Sequence, residues 1–450
     1  MRKKRLAALM AALLAASSLA ACSGQTPGAA SAGENTEGQE AAPAGNVELE
    51  IYYPVGVGGT VSQLIEQLAQ EYQEETEGVT ISSVFAGSYD DTLQKLITSY
   101  QGGNAPQLTI LSNNTILTML SMDMVLPLDD LIAQDGGSEY IDDFFPGFMA
   151  NCVFDGKIYS IPFQRSTLLM FYNKDHFREV GLDPESPPKT WEELAEYGQK
   201  LTKFDENGNA ERWGVMIPSS GAWDFGPYVI SNSANGENIM SDDGKSVMFD
   251  TPENVEALQF LRDLGTVYKA SPEGVIEMDT APANFIEQKT SMVQLSSGNI
   301  ANIDSSVTFD YGIATLPYSK RPASIAGGGN LYMIKGSTEE EQKAAWKFIR
   351  WLTEPERQAQ WNVDTGYVAA RKSAFETDIM EQYFKVIPQA EVAREQLDSC
   401  YNEIRVYESA RINDALTRAY DSVMTGAAEP QAALTALQTE CDEILAPYNQ

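Results

Sequence analysis

The chain of 450 residues carries few of the side chains that catalyse reactions or bind metals. His176 is its one histidine, which rules out a histidine-rich metal site and disfavours a Ser-His-Asp triad. Because it stands alone near a predicted helix start, His176 is expected to face solvent. The sequence has no P-loop, no G-x-S-x-G and no H-E-x-x-H motif. It therefore predicts no catalytic residue, no metal ligand and no cofactor.

Acidic residues leave two other kinds of site to consider. With 64 Asp and Glu residues, some pair of carboxylates will lie close in space, so a glycoside hydrolase remains an alternative. Segment 205–209 (DENGN) begins like an EF-hand loop, but the twelfth position is Met216 instead of a glutamate. We interpret this segment as a turn.

The stronger signal is a set of aromatic and small polar residues in loops that follow predicted strands. Ligands of open α/β sheets bind beyond the carboxyl ends of strands, and aromatic faces with hydroxyl and amide groups suit sugars and polyols. Each aromatic alone is more often core packing, but together they favour a binding cleft. The set comprises Tyr53, Pro54, Gly56, Gly58, Gly59, Ser88, Tyr89, Asn113, Asn114, Trp223, Gly327, Gly328, Gly329, Asn330, Thr365, Gly366 and Tyr367.

Alternating strand and helix patterns must position these loops. Residues 47–53 alternate polar and apolar side chains like a half-buried strand, and the apolar residues of 60–72 recur at helical spacing. This alternation predicts an α/β fold with a parallel sheet, and the body is long enough for two lobes. Thr190 and Glu193 form a predicted capping box. Further strands are predicted at 79–85, 107–111 and 309–317, a crossing segment at 317–330, and further helices at 90–100, from 190, from 252, at 339–351 and from 405 onward.

The N-terminus has the pattern of an export signal. Residues 1–21 combine a basic head with a short apolar run and small residues, and are too short to span a membrane. Cys22 follows Leu-Ala-Ala, as the lipidated cysteine of a bacterial lipobox does; a chance arrangement is the alternative. Residues 22–46 lack large apolar side chains and predict a flexible tether. We expect a lipoprotein at the extracytoplasmic face of the cell membrane.

Charge and cysteine content limit the partners. The net charge is −33, which argues against nucleic acid and against docking on anionic lipid headgroups. An anionic ligand would therefore need a locally basic pocket. With Cys22 assigned to lipid, Cys152, Cys400 and Cys441 allow at most one disulfide, and no C-x-x-C spacing suggests a zinc site.

Longer motifs carry a resemblance to a known family. From about residue 49 to 426 the chain resembles the extracellular solute-binding proteins of ABC importers, family 1, and within it the glycerol-phosphate-binding branch. GLDPESPPKTW (181–191) and the pattern ending at 424–426 are the more specific to that branch. The other matching motifs are SYDDTL (88–93), GNAP (103–106), YNKDHF (172–177), MVQLSSGNIANI (292–303), YGIATLPY (311–318), GGGNLYMIKG (327–336) and TGYVAARKSAF (365–375).

The resemblance implies a two-lobe periplasmic-binding-protein type II fold that closes on its ligand about a hinge. The three implied hinge crossovers lie near 162–166, 325–327 and 372–375. The implied N-lobe comprises 47–163 and 328–375, and the implied C-lobe 164–327 and 376–450. The residues implied to line the cleft are Tyr89, Ser166, Trp191, Trp223, Gly328 and Tyr367.

Two positions depart from the glycerol-phosphate pattern. Asn113 stands where that branch has a Glu, and Asn413 aligns nearest to the Arg that grips phosphate. Asn cannot supply the charged, planar fork of Arg. Arg165 or Arg411 could compensate, so the ligand stays open between sn-glycerol-3-phosphate or a glycerophosphodiester, slightly favoured, and a mono- or oligosaccharide.

The function implied is capture of a small polar solute and its delivery to the transmembrane subunits of an ABC permease, by a monomer and without catalysis. A secreted glycan-degrading lipoprotein enzyme is the alternative from another class. An enzyme would turn over its substrate, whereas a binding protein would show saturable affinity and no product.

Overall fold

The computed structural model describes residues 46–54, 61–236 and 239–449. The predicted signal segment 1–21, Cys22, the tether up to residue 45, and Gly56, Gly58 and Gly59 lie outside the described residues. Within the described ranges, no helix is long and apolar enough to cross a membrane.

The first five elements alternate strand and helix as predicted. Strands β1 and β2 match the predicted ranges, and β1 pairs in parallel with both β2 and β3. Helix α2 begins with a capping box, in which the Ser88 side chain accepts from the Asp91 amide and the Asp91 side chain accepts from the Ser88 amide. The elements are β1 (Val47–Tyr53), α1 (Val61–Glu75), β2 (Val79–Phe85), α2 (Tyr89–Gln101) and β3 (Leu108–Ser112).

Short helices and one hairpin precede the longest strand. They are α3 (Ile116–Ser121), α4 (Asp129–Gln134), α5 (Gly137–Asp142), α6 (Pro146–Met149), β4 (Val153–Phe154) and β5 (Lys157–Ile158).

Strand β6 (Ser160–Asn173) runs through both halves of the sheet, and all of its residues are buried. Successive side chains point to opposite faces. Leu169 and Phe171 pack in one core cluster, while Leu168, Met170 and Tyr172 pack in another. Burial on both faces explains the nearly continuous apolar run of this strand.

The second half of the protein adds helices around the sheet. Thr190 caps α8 as predicted, although Glu193 accepts from the Lys189 amide, so only one bond of the predicted box forms. The elements are α7 (Lys174–Glu179), α8 (Trp191–Leu201), β7 (Lys203–Phe204), β8 (Ala210–Met216), α9 (Ala222–Asn232), α10 (Pro252–Thr266), α11 (Ala281–Ile286), β9 (Thr290–Ser296), α12 (Ile300–Ser306) and β10 (Tyr311–Ala314).

The last third of the chain returns to the sheet and ends in two long helices. The segment 317–330, predicted to cross between lobes, contains the first seven residues of a ten-residue strand, β11, and the last helical region begins at Ser409, four residues later than predicted. The elements are β11 (Ser324–Met333), α13 (Glu339–Leu352), α14 (Pro355–Thr365), α15 (Asp378–Val386), α16 (Val392–Glu395), β12 (Cys400–Asn402), α17 (Ser409–Met424) and α18 (Pro430–Leu445).

The strands follow the order β2-β1-β3-β11-β6-β9-β8-β7, with β10 beside β6 and β12 beside β11. Strand β11 is antiparallel to β3 and to the first half of β6, whereas the second half of β6 pairs with β9 and β10. Strands β6 and β11 therefore connect the two lobes of the α/β fold. The exact lobe boundaries stay a prediction.

The structure contradicts the expectation for His176 and confirms the turn predicted at 205–209. The expectation that His176 faces solvent is wrong: it is only 7% exposed, and its Nδ1 lies 3.1 Å from Ser291 Oγ. Burial, with Arg212 nearby, lowers its pKa to about 4. Segment 205–209 is a turn, in which the Asp205 carboxylate accepts from the amides of Asn207 and Asn209. Cys152, Cys400 and Cys441 are free.

Candidate functional site

Three glycines of β11 allow side chains from both lobes to approach the crossing strands closely. A Cβ atom on Gly327 would overlap the Trp223 ring, and one on Gly329 would lie 3.0 Å from the Tyr89 hydroxyl. Gly328 has a φ of +91°, and a Cβ there would overlap the Gln164 carbonyl. Only glycine fits such a conformation and such contacts at low cost. The Gly-Gly-Gly segment therefore forms the floor of a cleft.

A cavity of about 310 Å³ lies over this floor. Its volume is at the lower end of the range for small-molecule sites. The lining combines aromatic faces with hydroxyl, amide and carboxylate groups from elements far apart in the sequence. The lining residues are Tyr89, Asp90, Ser112, Asn114, Ser166, Ser220, Trp223, Met278, Ser296, Gly328, Tyr367, Glu403 and Asn413.

Two tyrosines form one wall of the cavity. The Tyr367 hydroxyl accepts from Gln164 Nε2 at 2.9 Å, and its ring stacks on Trp361 with centroids 6.1 Å apart. Burial raises the pKa of Tyr367 to about 12, so its hydroxyl stays neutral. Tyr89 begins helix α2, and its buried hydroxyl interacts with that of Tyr367. Tyr89 and Tyr367 therefore each present an aromatic ring and a hydroxyl group to the cavity.

Glu403 follows β12 and presents a carboxylate at the cavity. Its Oε1 accepts from Asn114 Nδ2 at 3.0 Å, and its Oε2 accepts from Asn113 Nδ2 at 3.2 Å. The pKa of Glu403 is raised to about 7, because burial and, to a smaller extent, the nearby Asp90 outweigh the lowering effects of Arg165 and Asn113. The carboxylate is therefore close to its titration midpoint at neutral pH.

A second cavity, of about 280 Å³, shares Trp223, Met278 and Ser296 with the first. Asp224 lines this cavity, and its carboxylate accepts from Gln294 Nε2 at 2.7 Å and from the Ser220 hydroxyl. Burial raises the pKa of Asp224 to about 6, against the lowering effect of these bonds. The two cavities are therefore neighbours, separated by the residues that they share.

The charged side chains that line the two cavities are all acidic. The charged residues around the two cavities are Asp90, Glu403, Asp224 and Asp279, and no Lys, Arg or His is among the described residues that line them. No group of three or more His, Cys, Asp or Glu residues in the described ranges could hold a metal ion.

The structure brings together five of the nine residues that the sequence placed in the cleft, namely Tyr89, Ser166, Trp223, Gly328 and Tyr367. Asn413, at the aligned position of the phosphate-gripping arginine, also lines the cavity, and its Oδ1 accepts from the Ala222 amide at 3.2 Å.

Trp191 belongs to a hydrophobic core cluster and does not line this cavity. It is 5% exposed, its ring stacks on Phe260 with centroids 4.6 Å apart, and Tyr228 lies beside it. Because Trp191 is the first residue of α8, its direction depends on how that helix packs. We therefore do not assign Trp191 to the site.

Neither arginine that could have replaced the phosphate-gripping residue reaches the cavity. Arg165 is fully buried and donates to Asn330 Oδ1 at 2.9 Å and to the Ala326 carbonyl at 3.1 Å. Its side chain alternates with that of Ser166 on β6, so it points away from the cavity. Arg411 has a side chain 62% exposed and pairs with Glu408. Neither arginine therefore supplies at the cavity the positive charge that Asn413 lacks.

Asn113 lies behind the cavity wall. It is fully buried, and its amide donates to the Gly328 carbonyl at 3.1 Å as well as to Glu403. It therefore positions Glu403 and β11 without lining the cavity itself. Glu403 and Asp90 are the charged lining residues that sequence reasoning missed. Asp90 had a signal, since it follows Tyr89 in the SYDDTL motif, whereas Glu403 had none.

A two-lobe α/β fold, crossed by β6 and β11 and carrying an aromatic cleft at the crossing, defines a solute-binding protein that holds its ligand between lobes. The family described as bacterial extracellular solute-binding protein matches residues 67–387, and the chain belongs to this family. The predicted resemblance and fold class are therefore confirmed.

Relatives in sequence include sn-glycerol-3-phosphate-binding periplasmic proteins UgpB. That of Salmonella typhimurium is 27% identical over 409 residues, covering 87% of this chain and 91% of its own. That of Escherichia coli K12 has the same identity and coverage.

Solved structures of similar fold bind different ligands. UgpB from Mycobacterium tuberculosis, in complex with glycerophosphocholine, has a TM-score of 0.78 and 24% identity over 90% of this chain and 100% of its own. A solute-binding protein from Thermotoga lettingae, bound with α-D-tagatose, has a TM-score of 0.76 and 20% identity over 89% and 100%. At these identities the similarity establishes the fold.

Proposed function

We propose that this protein is a lipid-anchored solute-binding protein of an ABC importer, which captures a hydroxylated solute over the glycine floor of β11. The single observation that carries this proposal is the lining of the cavity: Trp223, Tyr89 and Tyr367 converge with hydroxyl and amide groups from both halves of the sheet. Aromatic faces beside hydrogen-bonding groups are the chemistry that recognises sugars and polyols.

The relatives named for sn-glycerol-3-phosphate support a glycerol-phosphate-type ligand. The residues that line the cavity, however, do not favour the free phosphate monoester. A phosphate monoester carries up to two negative charges and calls for Arg or Lys. The described lining holds Asn413 and only acidic charges. We therefore favour a glycerophosphodiester or a mono- or oligosaccharide over free sn-glycerol-3-phosphate.

The mechanism we propose is binding and handover by a monomer. Ligand contacts from both lobes would stabilise the closed form, and that form would dock on the transmembrane subunits of the permease. The lipid on Cys22 and the tether of residues 22–46 would keep the body near the extracytoplasmic membrane face. No bond of the ligand is made or broken, in contrast to the glycan-degrading alternative.

A thermal-shift screen of the purified full-length protein tests the proposal. We expect a sugar or glycerophosphodiester from the library to raise the unfolding midpoint, because a ligand that binds the folded state stabilises it. The shift should disappear in Trp223→Ala and persist in Glu192→Gln, which changes an exposed residue outside the cavity lining. Absence of any shift, or an equal shift in Trp223→Ala, contradicts the proposed site.

A further inference from the structure

The carboxylate of Glu403 is fixed in place before any ligand arrives. Asn114 and Asn113 each donate to one of its oxygens, and Asn113 is itself held by the Gly328 carbonyl. Among the described residues, Glu403 makes no ion pair within 4.0 Å. Arg165 influences it from a distance while donating its own hydrogen bonds to Asn330 and Ala326. A partly buried carboxylate without an ion-pair partner is suited to receive a cation.

A second observation points to a ligand in the same cavity. Ser166 lines the cavity and is only 3% exposed, so its hydroxyl is available mainly to a group inside the cavity. The buried hydroxyl of Tyr89 lies at the same cavity, where it interacts with the Tyr367 hydroxyl. Buried polar groups are normally hydrogen-bonded, so hydroxyl groups of a ligand are suited to bind beside Ser166 and Tyr89.

The aromatic side chains add a third feature. Trp223, Tyr89 and Tyr367 surround the space that Glu403 and Asp90 face. Aromatic faces attract alkylammonium groups, most strongly where water is excluded. Carboxylates and aromatic rings in one cavity, without a basic side chain in the described lining, favour a positively charged group and disfavour a phosphate monoester.

We infer that the ligand carries an ammonium group, which Glu403 and Asp90 hold against the aromatic wall while Ser166 and Tyr89 bind hydroxyl groups. This inference rests on the proposed function and specifies its ligand class. The ammonium group could belong to an amino sugar or to the choline end of a glycerophosphodiester; the chemistry recognised at Glu403 is the same.

Protonation distinguishes such a ligand from a neutral one. The groups that face Glu403 are Asp90 of α2, Arg165 of β6 and Tyr89. With a pKa of about 7, Glu403 is partly protonated at neutral pH, and a bound cation would favour the ionised form. Binding of a cation that keeps its charge over this range, such as the quaternary ammonium of choline, should therefore release a proton and tighten as the pH rises from 6 to 8. A neutral solute should show neither effect.

Calorimetric titration of the purified full-length protein tests the inference with two matched pairs of probes. Glucosamine disaccharide is compared with cellobiose, and glycerophosphocholine with glycerophosphoglycerol. We expect the ammonium member of one pair to bind at least about tenfold more tightly than its partner without an ammonium group. The pair that shows the preference identifies the source of the ammonium group. Titrations of glycerophosphocholine, whose quaternary ammonium cannot lose a proton, at pH 6 and 8 in two buffers of different ionisation enthalpy measure proton release.

Variants assign the preference to the carboxylate. Glu403→Gln should reduce the preference by about tenfold and abolish proton release, and Asp90→Asn should reduce it more weakly because Asp90 is exposed. Glu192→Gln makes the same charge change away from the cavity and should preserve both. If Glu403→Gln fails to fold, Asp90→Asn provides the test.

Equal affinities within both pairs, tighter binding of the members without an ammonium group, or a preference that survives both variants overturns the inference. Saturable binding of a member without an ammonium group in those cases leaves the proposed function intact. Failure of all four probes, together with a negative thermal-shift screen, overturns both.

Discussion

The indole ring of Trp223 lies directly against the backbone of Gly327, so that a methyl group at Gly327 would overlap the ring. Trp223 belongs to α9, and Gly327 to the crossing strand β11. Gly328, the next residue, lines the cavity together with Trp223. The Trp223 ring can therefore occupy this position only because Gly327 has no side chain.

Gly327→Ala tests this dependence. The added methyl group should displace the Trp223 ring, weakening ligand binding by about tenfold and lowering the free energy of unfolding by about 1–3 kcal/mol. Calorimetric titration and denaturant unfolding measure the two effects. In the Trp223→Ala background the same change should cost much less, because the overlapping ring is gone. Additive costs in the double variant would contradict the contact.

The two tryptophans should respond differently to truncation. Trp223→Ala should weaken ligand binding by about 10- to 100-fold with little loss of stability, as for an aromatic at a binding site. Trp191→Ala should instead lower the free energy of unfolding by about 3–5 kcal/mol, because it removes a buried ring stacked on Phe260. Paired titration and unfolding curves check this, and the reverse pattern would return Trp191 to the site.

Substitutions of Arg411 and Arg165 should also have different effects. Arg411→Ala should leave the ligand dissociation constant unchanged, since its side chain is exposed and pairs with Glu408. Arg165→Lys should lower the free energy of unfolding by about 2 kcal/mol, because lysine cannot replace the fork that bonds Asn330 and Ala326. Titration and unfolding measure these outcomes. Loss of binding in Arg411→Ala would mean that a shifted α17 brings this residue to the ligand.

Stability should fall as the pH rises from 5 to 8. Burial raises the pKa of Glu403 to about 7 and that of Asp224 to about 6, so these two carboxyl groups bind more protons in the folded than in the unfolded chain until the pH passes those values. His176, whose pKa is lowered to about 4, acts in the opposite direction at the acidic end of the range, but it is one group against two. The free energy of unfolding then decreases with pH. Glu403→Gln should remove about 1–3 kcal/mol of that decrease. Unfolding curves at both pH values measure it, with Glu192→Gln as control; equal slopes in all three proteins would refute the assignment.

Membrane attachment should depend on Cys22. Cys22→Ser removes the thiol that would carry the lipid, so the protein should move from the membrane fraction to the soluble extracytoplasmic fraction. Immunoblots of fractionated cells check this, and ligand affinity of the released protein serves as a control for folding. Retention of Cys22→Ser in the membrane fraction would contradict the lipoprotein proposal.

Local patterns allowed much of the fold to be predicted. The ranges of β1 and β2 match because one face of each strand is partly solvated and its side chains alternate. The start of α10 was readable from Pro252 at its first position, with Thr251 as the cap. Strand β11 was missed as a strand because its glycines signal a loop; only neighbouring β3 and β6 make it extended.

The site was less accessible from the sequence. Its aromatic residues could be proposed because they follow strands in loops or at helix starts. Glu403 could not, because its partners Asn113 and Asn114 lie 290 and 289 residues away. Trp191 was misplaced because a motif fixes the residue type but not the direction of a side chain at a helix start. The direction of Arg165 follows from strand alternation, once the register of β6 is known.

The most direct test of the central claim is calorimetric titration of the purified full-length protein, with chromatography of each mixture afterwards. The ligands are glycerophosphocholine, sn-glycerol-3-phosphate, maltotriose and glucosamine disaccharide. We predict saturable one-to-one binding of at least one of them, lost in Trp223→Ala, with the ligand recovered unchanged. Appearance of a hydrolysis product, or undiminished binding in Trp223→Ala, would contradict the account.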